Sequence, residues 1–392
     1  MKSFRAQTLI LIAIAFTLGM SEFIIIGVLG DIAHTFHISF AQVGFLTTVF
    51  ALIYAISTPI LSLLIGKRPL KQVMNVVLGI FICGNGLSAL APNFMVLTIS
   101  RIITALVSGV TISITITFAP HIAPLTKRAW IVAWVFSGFS IASVFGVPAG
   151  TWLSGLLGWR LIFLLIAGLA LLVLGSFDLA LPGTLHQQPG QHFSEQFHIL
   201  TDRRILLGVL IPVFNLGGVY VVYTYVTPIL TNHFGYSLSF VTIFLVLYGI
   251  ASLFSNQYSG NLAANHGLQR SLKFYGLQLV AMLLTSLCFN VAWVVMGAIL
   301  IMGFTIYLAG STLQLFYMSI AEADYPQSLV LASSFNPIFS NLGIAVGSAC
   351  GSLIVGHLGM DALGFGGAAL TASGLFTTWY LTFHLLKNHN YG

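Results

Sequence analysis

Charge is what this sequence most lacks. Asp, Glu, Lys and Arg together make up only 6% of its 392 residues, whereas soluble domains usually carry about 25%. Hydrophobic residues account for 58% of the chain. Because no soluble fold can bury that much apolar surface, the composition excludes a soluble enzyme and indicates a chain that lies almost entirely within a membrane.

Cysteine and catalytic groupings are also scarce. The cysteines Cys83, Cys288 and Cys350 fall in separate apolar runs, so their number and spacing predict neither a disulfide framework nor a metal site. His34 and His37 lie three residues apart but have no third ligand nearby in the sequence, which favours a solvated loop over a metal site. The sequence contains no Walker-type phosphate loop and no pattern of clustered His and acidic residues. An ATP-driven pump and a membrane-embedded enzyme are therefore not expected, and no cofactor is predicted.

The sequence does have long apolar runs. A membrane-crossing helix needs about 20 mostly apolar residues, and roughly 30 residues for each span with its loop allows about a dozen crossings. The expected fold class is an all-α membrane protein with twelve transmembrane helices. The predicted spans cover residues 6–30, 41–65, 72–91, 95–118, 129–155, 161–181, 205–232, 238–260, 272–290, 293–318, 328–355 and 363–386.

The longest polar stretch lies at residues 182–204 and divides the predicted spans into six plus six. It is expected to be a cytoplasmic linker between an N-terminal bundle, 1–181, and a C-terminal bundle, 205–392. Phe193, Phe197 and Leu200 recur in it at helical spacing, which fits a short interfacial helix, although a solvated linker is a comparable alternative.

The positive charges are distributed asymmetrically. Of the 14 Lys and Arg residues, twelve fall on one side of the predicted topology, Arg160 lies on the other, and Arg101 lies within a span. The twelve are Lys2, Arg5, Lys67, Arg68, Lys71, Lys127, Arg128, Arg203, Arg204, Arg270, Lys273 and Lys387. This positive-inside pattern predicts that both termini are cytoplasmic in a bacterial inner membrane. The net charge of +6 is therefore explained by the orientation of the chain in the membrane and does not indicate nucleic-acid binding.

Four stretches carry a family likeness. They are SEFIIIGVLGDIA at 21–33, SRIITALVSG with Arg101 and Gly109, GVPAGTWLSGLLGWRLIF at 146–163, and NPIFSNLGIAVGSACG at 336–351, supported by YTYVTPIL at 223–230. With these stretches the chain resembles the major facilitator superfamily, and within it the twelve-span proton-coupled drug and sugar efflux group, especially its arabinose-efflux-permease-like members. The resemblance implies two pseudo-symmetric six-helix bundles, and the third stretch is similar to a motif regarded as an antiporter signature.

Three ionisable side chains lie well within predicted spans: Glu22, Arg101 and Asp178. Such groups are costly unless they are paired or face water. Glu22 and Arg101 are expected at matching depth, roughly 10 to 12 Å below the outer surface at 1.5 Å per residue, so they can pair. An arginine that approaches or leaves would switch the proton affinity of Glu22; the alternative is a static ion pair. Asp31, at the outer mouth of the first span, would deliver protons or sit among headgroups, and Asp178 is interpreted as a structural residue near the interface.

Small residues and a proline mark the fifth predicted span. Gly138, Gly146, Pro148 and Gly150 permit close helix approach and a bend, which suits closure of the outer face as the halves rock. Generic helix packing is the alternative for this run.

The C-terminal half has no mid-span charge but many neutral polar groups. Asn215, Tyr223, Gln314, Asn336 and Asn341 are predicted to help line a substrate cavity near the midplane. Amides and phenols suit sugars, nucleosides or amphipathic drugs. Hydrogen bonding between helices is an equally good account of any one of these residues.

These features together predict a secondary transporter that exports a small neutral or amphipathic solute in exchange for protons. The alternative is a proton-coupled symporter or a facilitator for the uptake of a sugar or nucleoside. The expected partners are a small-molecule substrate, protons and membrane lipid, and the chain is expected to act as a monomer.

Overall fold

The computed structural model of the protein describes residues 4–64, 69–122, 128–181, 197–263, 267–325 and 328–385. Within these ranges the chain is built of helices joined by short turns, with no β-strand. The helices are α1 (Phe4–Phe36), α2 (Phe40–Leu64), α3 (Leu70–Ala89), α4 (Phe94–Ile122), α5 (Arg128–Ile141, Ala142–Gly146 and Val147–Leu157), α6 (Trp159–Ala180), α7 (Arg203–Tyr223, Val226–Pro228 and Ile229–His233), α8 (Leu238–Ala263), α9 (Gly267–Leu287), α10 (Ala292–Thr305 and Gly310–Asp324), α11 (Leu329–His357) and α12 (Leu363–Tyr380 and Leu381–Leu385).

The prediction of an all-α chain with twelve spans is confirmed. In the part of the chain that the structure describes, 10 helical segments are long and apolar enough to cross a membrane, and the two other predicted spans, α9 and α12, are helical as well. Two helices extend well past their predicted ends: α1 continues to Phe36, past residue 30, and α10 continues to Asp324, past residue 318. Asp31 and His34 lower the local hydropathy at the end of α1, but they do not interrupt the helix.

Among the described residues four spans are irregular: α5, α7, α10 and α12, whose last turn, Leu381–Leu385, is π-helical. In α5 a π-helical turn, Ala142–Gly146, comes just before Pro148. Proline has no backbone N–H to donate, and a π-turn is a common way to accommodate that loss. In α7 the regular helix ends at Tyr223 and resumes at Val226.

The third irregular span is α10, whose α-helix stops at Thr305 and restarts at Gly310. Non-helical backbone at this depth is tolerated only where other protein groups take up its polar atoms. The break therefore requires hydrogen-bond partners from neighbouring helices, which are described below.

The chain forms two compact units. The first contains residues 1–38, 49–189 and 236–246, and the second contains 39–48, 190–235 and 247–392. The first turns of α2 thus group with the second unit, and the first turns of α8 with the first. The proposed division into bundles at 1–181 and 205–392 around a linker remains a prediction.

Part of the predicted linker is seen. Residues 182–196, with Phe193, lie outside the described ranges, while Phe197–Thr201 forms a 3₁₀ turn. Ile199 of this turn is buried in an apolar core of the second unit, among residues that include Tyr317 and Ile320. The last turn before α7 is therefore anchored to the second unit.

In the first unit, α1 and α5 pack through small residues. A Cβ atom on Gly138 would lie 2.7 Å from the carbonyl oxygen of Ile12, and one on Gly146 or Gly150 would overlap Met20 or Ile24. The predicted glycines of the fifth span thus face α1 between Ile12 and Ile24. Only residues without a side chain allow this separation.

In the second unit, α7 and α11 pack in the same way. A Cβ on Gly343 would lie 2.8 Å from the carbonyl oxygen of Pro212, and Gly347 and Gly351 face the backbone of Gly217 and Val221. The pairs α1–α5 and α7–α11 are therefore both in close backbone contact and occupy matching places in the six-plus-six order. In the second unit, α12 also approaches the backbone of α7 and α9 this closely.

Candidate functional site

Arg101 on α4, in the first unit, is completely buried, with 0% of its surface exposed. Its Nη1 donates a hydrogen bond to Ser21 Oγ (3.0 Å), and its Nη2 donates to the Ser21 carbonyl oxygen (2.6 Å). The guanidinium carbon lies over the rings of Phe50, 4.6 Å from the centroid, and Phe163, 5.5 Å away. Two hydrogen bonds and two aromatic faces fix the guanidinium in one orientation.

Ser21 also connects Arg101 to α3 through hydrogen bonds. Its hydroxyl donates to Asn85 Oδ1 (2.9 Å), and Asn85 Nδ2 donates to the Phe81 carbonyl oxygen (2.9 Å). Each member of the chain accepts one hydrogen bond and donates the next, so the bonds polarise one another in the same direction. This series of hydrogen bonds ends on the backbone carbonyl of Phe81. It therefore positions Arg101 and provides no route for a proton. The sequence prediction for the first half of the chain rested on ionisable side chains inside spans, and it therefore missed Ser21 and Asn85.

Glu22 follows Ser21 on α1 and is half-buried. Among the described residues, no ion pair within 4.0 Å joins Glu22 to Arg101, so the expected direct pair is absent here. The carboxyl group still lies within electrostatic range of Arg101 and of Tyr54 on α2. Glu22 and Arg101 thus lie near each other at the same level of the first unit, but Arg101 is bound to Ser21, the residue that precedes Glu22.

Asp31 has a partner on α5. Ser154 Oγ donates to Asp31 Oδ2 at 2.5 Å, and one turn further along α1 the Trp159 indole N–H donates to Thr35 Oγ1 at 3.0 Å. Ser154 and Trp159 both belong to the stretch 146–163 that resembles the antiporter motif. The end of this stretch therefore ties α1 to α5 and α6, and Asp31 is part of that contact.

Asp178 lies at the other end of the first unit. It pairs with Lys71 (3.3 Å) and accepts a hydrogen bond from Asn75 Nδ2 (3.0 Å), and its side chain is 52% exposed. A surface pair of this kind contributes little energy. Its position favours the structural interpretation made from the sequence.

The second unit holds a neutral counterpart to this network. Gln278 on α9 is fully buried; its Nε2 donates to the Asn215 carbonyl oxygen (3.2 Å) and to Thr371 Oγ1 (3.1 Å), and its Oε1 accepts from Thr305 Oγ1 (2.8 Å). One amide therefore links α7, α9, α10 and α12.

The predicted cavity residues fall into different settings. Asn215 and Asn341 are buried, and the side-chain oxygen of each lacks a hydrogen-bond partner. Asn336 Nδ2 donates a long hydrogen bond, 3.4 Å, to the Gly310 carbonyl oxygen at the restart of α10. Gln314 is half-buried on the same helix segment. These four residues are spread over three helices, and their role in a cavity remains a prediction.

Tyr223, the fifth predicted cavity residue, belongs to an aromatic cluster. Its ring stacks on that of Tyr248 with centroids 4.2 Å apart and planes inclined by 14°, and it meets the ring of Tyr220 edge-on at 5.7 Å. Tyr307, in the break of α10, lies within electrostatic range of both Tyr223 and Tyr248. The sequence prediction missed Tyr248 and Tyr307, although both are polar aromatic residues near the middle of predicted spans.

Serines of α8 hold the break in α10. The backbone N–H of Tyr307 donates to Ser255 Oγ (2.9 Å), and that of Ser311 donates to Ser259 Oγ (2.8 Å). Ser255 and Ser259 are one turn apart and lie on the same stripe of α8 as Tyr248, whose ring packs against Gly303. The break in α10 is therefore stabilised by hydrogen bonds with α8, and it places Tyr307 near Tyr248.

Comparison with known proteins gives a family match over most of the chain. The model of the Major Facilitator Superfamily matches residues 11–330. The uncharacterized MFS-type transporter YtbD of Bacillus subtilis is 31% identical over 368 residues, which are 93% of this chain and 92% of YtbD. A protein of Helicobacter pylori named probable sugar efflux transporter is 29% identical over 378 residues, 95% of this chain and 94% of that protein.

Solved structures show the same architecture. The crystal structure of the nucleoside transporter NupG superimposes with a TM-score of 0.77 at 14% identity, covering 97% of this chain and all of that one. A bacterial homologue of the lysosomal transporter Spinster, in its inward-facing form, gives a TM-score of 0.66 at 18% identity over 98% of this chain and 96% of the other. At these identities the likeness establishes the fold alone.

Proposed function

The chain belongs to the major facilitator superfamily of multi-pass membrane transporters, and we propose that it is a proton-driven exporter. In this proposal it moves a small neutral or amphipathic solute out of the cell in exchange for protons, by alternating access of its two six-helix bundles. The observation that carries the proposal is the placement of Glu22 beside the buried Arg101, with the guanidinium bound to Ser21 instead of to the acid.

This arrangement supports proton coupling for a physical reason. Burial disfavours an ionised carboxyl group, and a nearby guanidinium favours it. Arg101 has two acceptors within reach of a small movement, Ser21 and Glu22. Glu22 binds a proton when Arg101 is held by Ser21, and it releases the proton when Arg101 turns to it. Asp31, nine residues after Glu22 and close to the C-terminal end of α1, supplies a second carboxyl group on the proton path.

The neutral groups of the second unit support an uncharged or amphipathic substrate. Asn215, Tyr223, Gln314, Asn336 and Asn341 supply amide and phenol groups, and no Asp, Glu, Lys or Arg lies between Ile205 and Ile320 in α7, α8 or α10. A relative named probable sugar efflux transporter and a nucleoside transporter of the same fold favour solutes that carry hydroxyl groups.

The proposed direction and orientation come from the sequence. The likeness of 146–163 to the antiporter motif favours exchange, and the basic residues favour cytoplasmic termini in a bacterial inner membrane. The close packing of α5 on α1 involves the segment that contains Gly138, Gly146, Pro148 and Gly150. We propose that this packing makes the two helices move together as the outer face closes.

The test is transport in proteoliposomes with an imposed pH gradient. Wild-type protein is expected to move protons and solute in opposite directions, and Glu22→Gln to lose accumulation driven by the gradient. Asp178→Asn is the matched control, because Asp178 is exposed and paired with Lys71; it should keep wild-type coupling. Movement of protons and solute in the same direction would identify a symporter. Transport that ignores pH in the wild type, or persists at the normal rate in Glu22→Gln, contradicts the proposal.

A further inference from the structure

Tyr248 on α8 combines deep burial with an unused hydrogen-bonding group. Only 2% of its surface is exposed, and its phenolic oxygen has no hydrogen-bond partner. A buried hydroxyl without a partner destabilises a fold, because it has lost its bonds to water and gained none in return. The same ring without the hydroxyl would pack equally well, so packing alone does not explain why tyrosine occupies this position.

The position of Tyr248 is the one expected for substrate binding. It follows the first residue of α8, Leu238, by ten residues, which is roughly 15 Å along the helix and half of a hydrocarbon core of about 30 Å. Tyr248 therefore lies near the midplane, where transporters of this architecture hold their substrates. It also packs against the segment of α10 that leads into the break.

Two further tyrosines surround this hydroxyl. The ring of Tyr223 covers one face of Tyr248 at a centroid distance of 4.2 Å, so no flat solute fits between the two rings, and a ligand would meet their hydroxyl edges. The phenol of Tyr307 lies within electrostatic range of both. Three neutral phenols from α7, α8 and α10 thus lie close to one another.

A second buried phenol provides an internal comparison. Tyr275 on α9 also lacks a hydrogen-bond partner, but it belongs to the apolar core that contains Ile199, Leu313 and Phe316. One other phenol, that of Tyr317, lies within electrostatic range of Tyr275, but its hydroxyl donates to the carbonyl oxygen of Gly208 (2.8 Å). The two residues share burial and an unpartnered hydroxyl, and they differ in their surroundings: two other phenols lie near Tyr248, whereas the phenol near Tyr275 is bonded to backbone.

We propose that the hydroxyl of Tyr248 hydrogen-bonds the transported solute, and that the solute is a neutral ring bearing hydroxyl groups, the chemistry shared by sugars and nucleosides. The proposal rests on the transport function proposed above and specifies its substrate class. A phenol both donates and accepts, which matches a substrate hydroxyl. A site built for such a bond also discriminates strongly against solutes that lack it, because its own polar group is then left buried and unpaired.

The test compares Tyr248→Phe with Tyr275→Phe in proteoliposomes, using arabinose, uridine and tetraphenylphosphonium as probes. Neither variant should lower the thermal unfolding midpoint, because each removes an unpartnered hydroxyl. Tyr248→Phe is expected to raise KM for the hydroxylated probe about 3- to 10-fold, the value of one hydrogen bond, and Tyr275→Phe to leave it unchanged. Which of arabinose and uridine the wild type carries distinguishes a sugar from a nucleoside.

Several results would overturn the assignment. An unchanged KM in Tyr248→Phe, or an equal rise in Tyr275→Phe, would remove Tyr248 from the substrate site while leaving proton-linked export intact. Wild-type protein that exchanges protons for tetraphenylphosphonium but carries neither arabinose nor uridine would overturn the substrate class alone. The absence of any pH-linked flux of the three probes would overturn both this assignment and the proposed function.

Discussion

Arg101 directs both of its terminal nitrogens to Ser21, one to the hydroxyl and one to the carbonyl oxygen, and neither to the adjacent Glu22. Successive residues of a helix point about 100° apart, at 3.6 residues per turn. Arg101 is therefore bound to the residue that precedes the acid in α1. In the proposed mechanism, a rotation of α1 or a new side-chain conformation of Arg101 changes its partner from Ser21 to Glu22.

Ser21→Ala tests this competition. The substitution leaves Arg101 Nη1 without its acceptor, so the guanidinium should move towards Glu22 and stabilise its ionised form. Since Arg101 and Tyr54 are the charged and titratable groups near Glu22, the pH at which transport is half-maximal should fall, by roughly one unit for about 1.4 kcal/mol of added interaction. Initial rates measured across a pH series would show the shift.

Ser21→Thr keeps the hydroxyl and is the control for this variant, with a pH profile expected to match the wild type. If Ser21→Ala also reproduced the wild-type profile while Glu22→Gln abolished coupling, Ser21 would be a packing residue only.

Close helix contact makes a second prediction. A Cβ on Gly138 would lie 2.7 Å from the Ile12 carbonyl oxygen, and one on Gly347 would overlap the backbone of Gly217. Because backbone atoms cannot move aside as side chains do, each change to alanine should cost about 1–3 kcal/mol. Gly168, whose added Cβ would meet nothing within 4 Å, serves as the control. Thermal unfolding in detergent should rank Gly138→Ala and Gly347→Ala well below Gly168→Ala, and equal midpoints would disprove the contact.

The break in α10 can be tested through its serine partners. Ser255→Ala removes the hydroxyl that accepts from the Tyr307 N–H, at a cost of about 1–3 kcal/mol. Ser252, buried on the same helix and bonded only to the carbonyl oxygen of Gly249 of its own helix, is the matched control. We expect a lower unfolding midpoint for Ser255→Ala and little change for Ser252→Ala. Similar midpoints for the two variants would mean that water replaces the serine hydroxyl.

The start of α7 predicts a pH effect outside the membrane. Burial acts to raise the pKa of Asp202, but the hydrogen bonds and charge of Arg204, with a further hydrogen bond from Tyr325, outweigh it and hold the pKa below its ordinary value. A carboxyl group with a lowered pKa stabilises the fold above its unfolded-state pKa, and that stabilisation is lost as the pH falls through the folded value. The contribution of Asp202 should therefore be complete at neutral pH and disappear below about pH 4.

Two variants separate the functions of Asp202. Its Oδ1 also accepts from the Arg204 backbone N–H (2.8 Å), which caps α7. Asp202→Asn keeps a capping side chain and removes the charge, so it should lose the acid dependence; Asp202→Ala removes both and should cost about 1 kcal/mol more. Unfolding midpoints at pH 7 and at about pH 2 would measure this, and an acid dependence that survives in Asp202→Asn would assign it to another group.

The sequence predicted the fold well because bilayer thickness sets the length of the apolar runs. It also identified Glu22 and Arg101, since charge inside a span is rare. It could not select Ser21 over Glu22 as the partner of Arg101, because that choice depends on the rotation of α1 about its axis and not on spacing along the chain.

Other features depend on residues distant in sequence. No proline or charge marks the residues between Thr305 and Gly310, and the break there relies on Ser255 and Ser259, about fifty residues earlier. The cluster of Tyr223, Tyr248 and Tyr307 likewise joins three helices. Hydropathy locates each helix but gives no information about which faces meet.

The π-turn of α5 has a consequence for how this helix tolerates insertions and deletions. Gly138, Gly146 and Gly150 all face α1, yet in a regular helix each step of four residues drifts by about 40°, so this spacing would wind off one face. The wider turn at Ala142–Gly146 offsets much of that drift. If the same residues formed a regular helix through Ala142–Gly146, Gly150 would be turned about 100° away from Ile24, the rotation of one residue. Deletion of one residue there would instead give a regular helix in which Gly150 still faces α1. The segment therefore behaves as a one-residue insertion absorbed by the π-turn, so α5 should tolerate the loss of one residue there better than the gain of one.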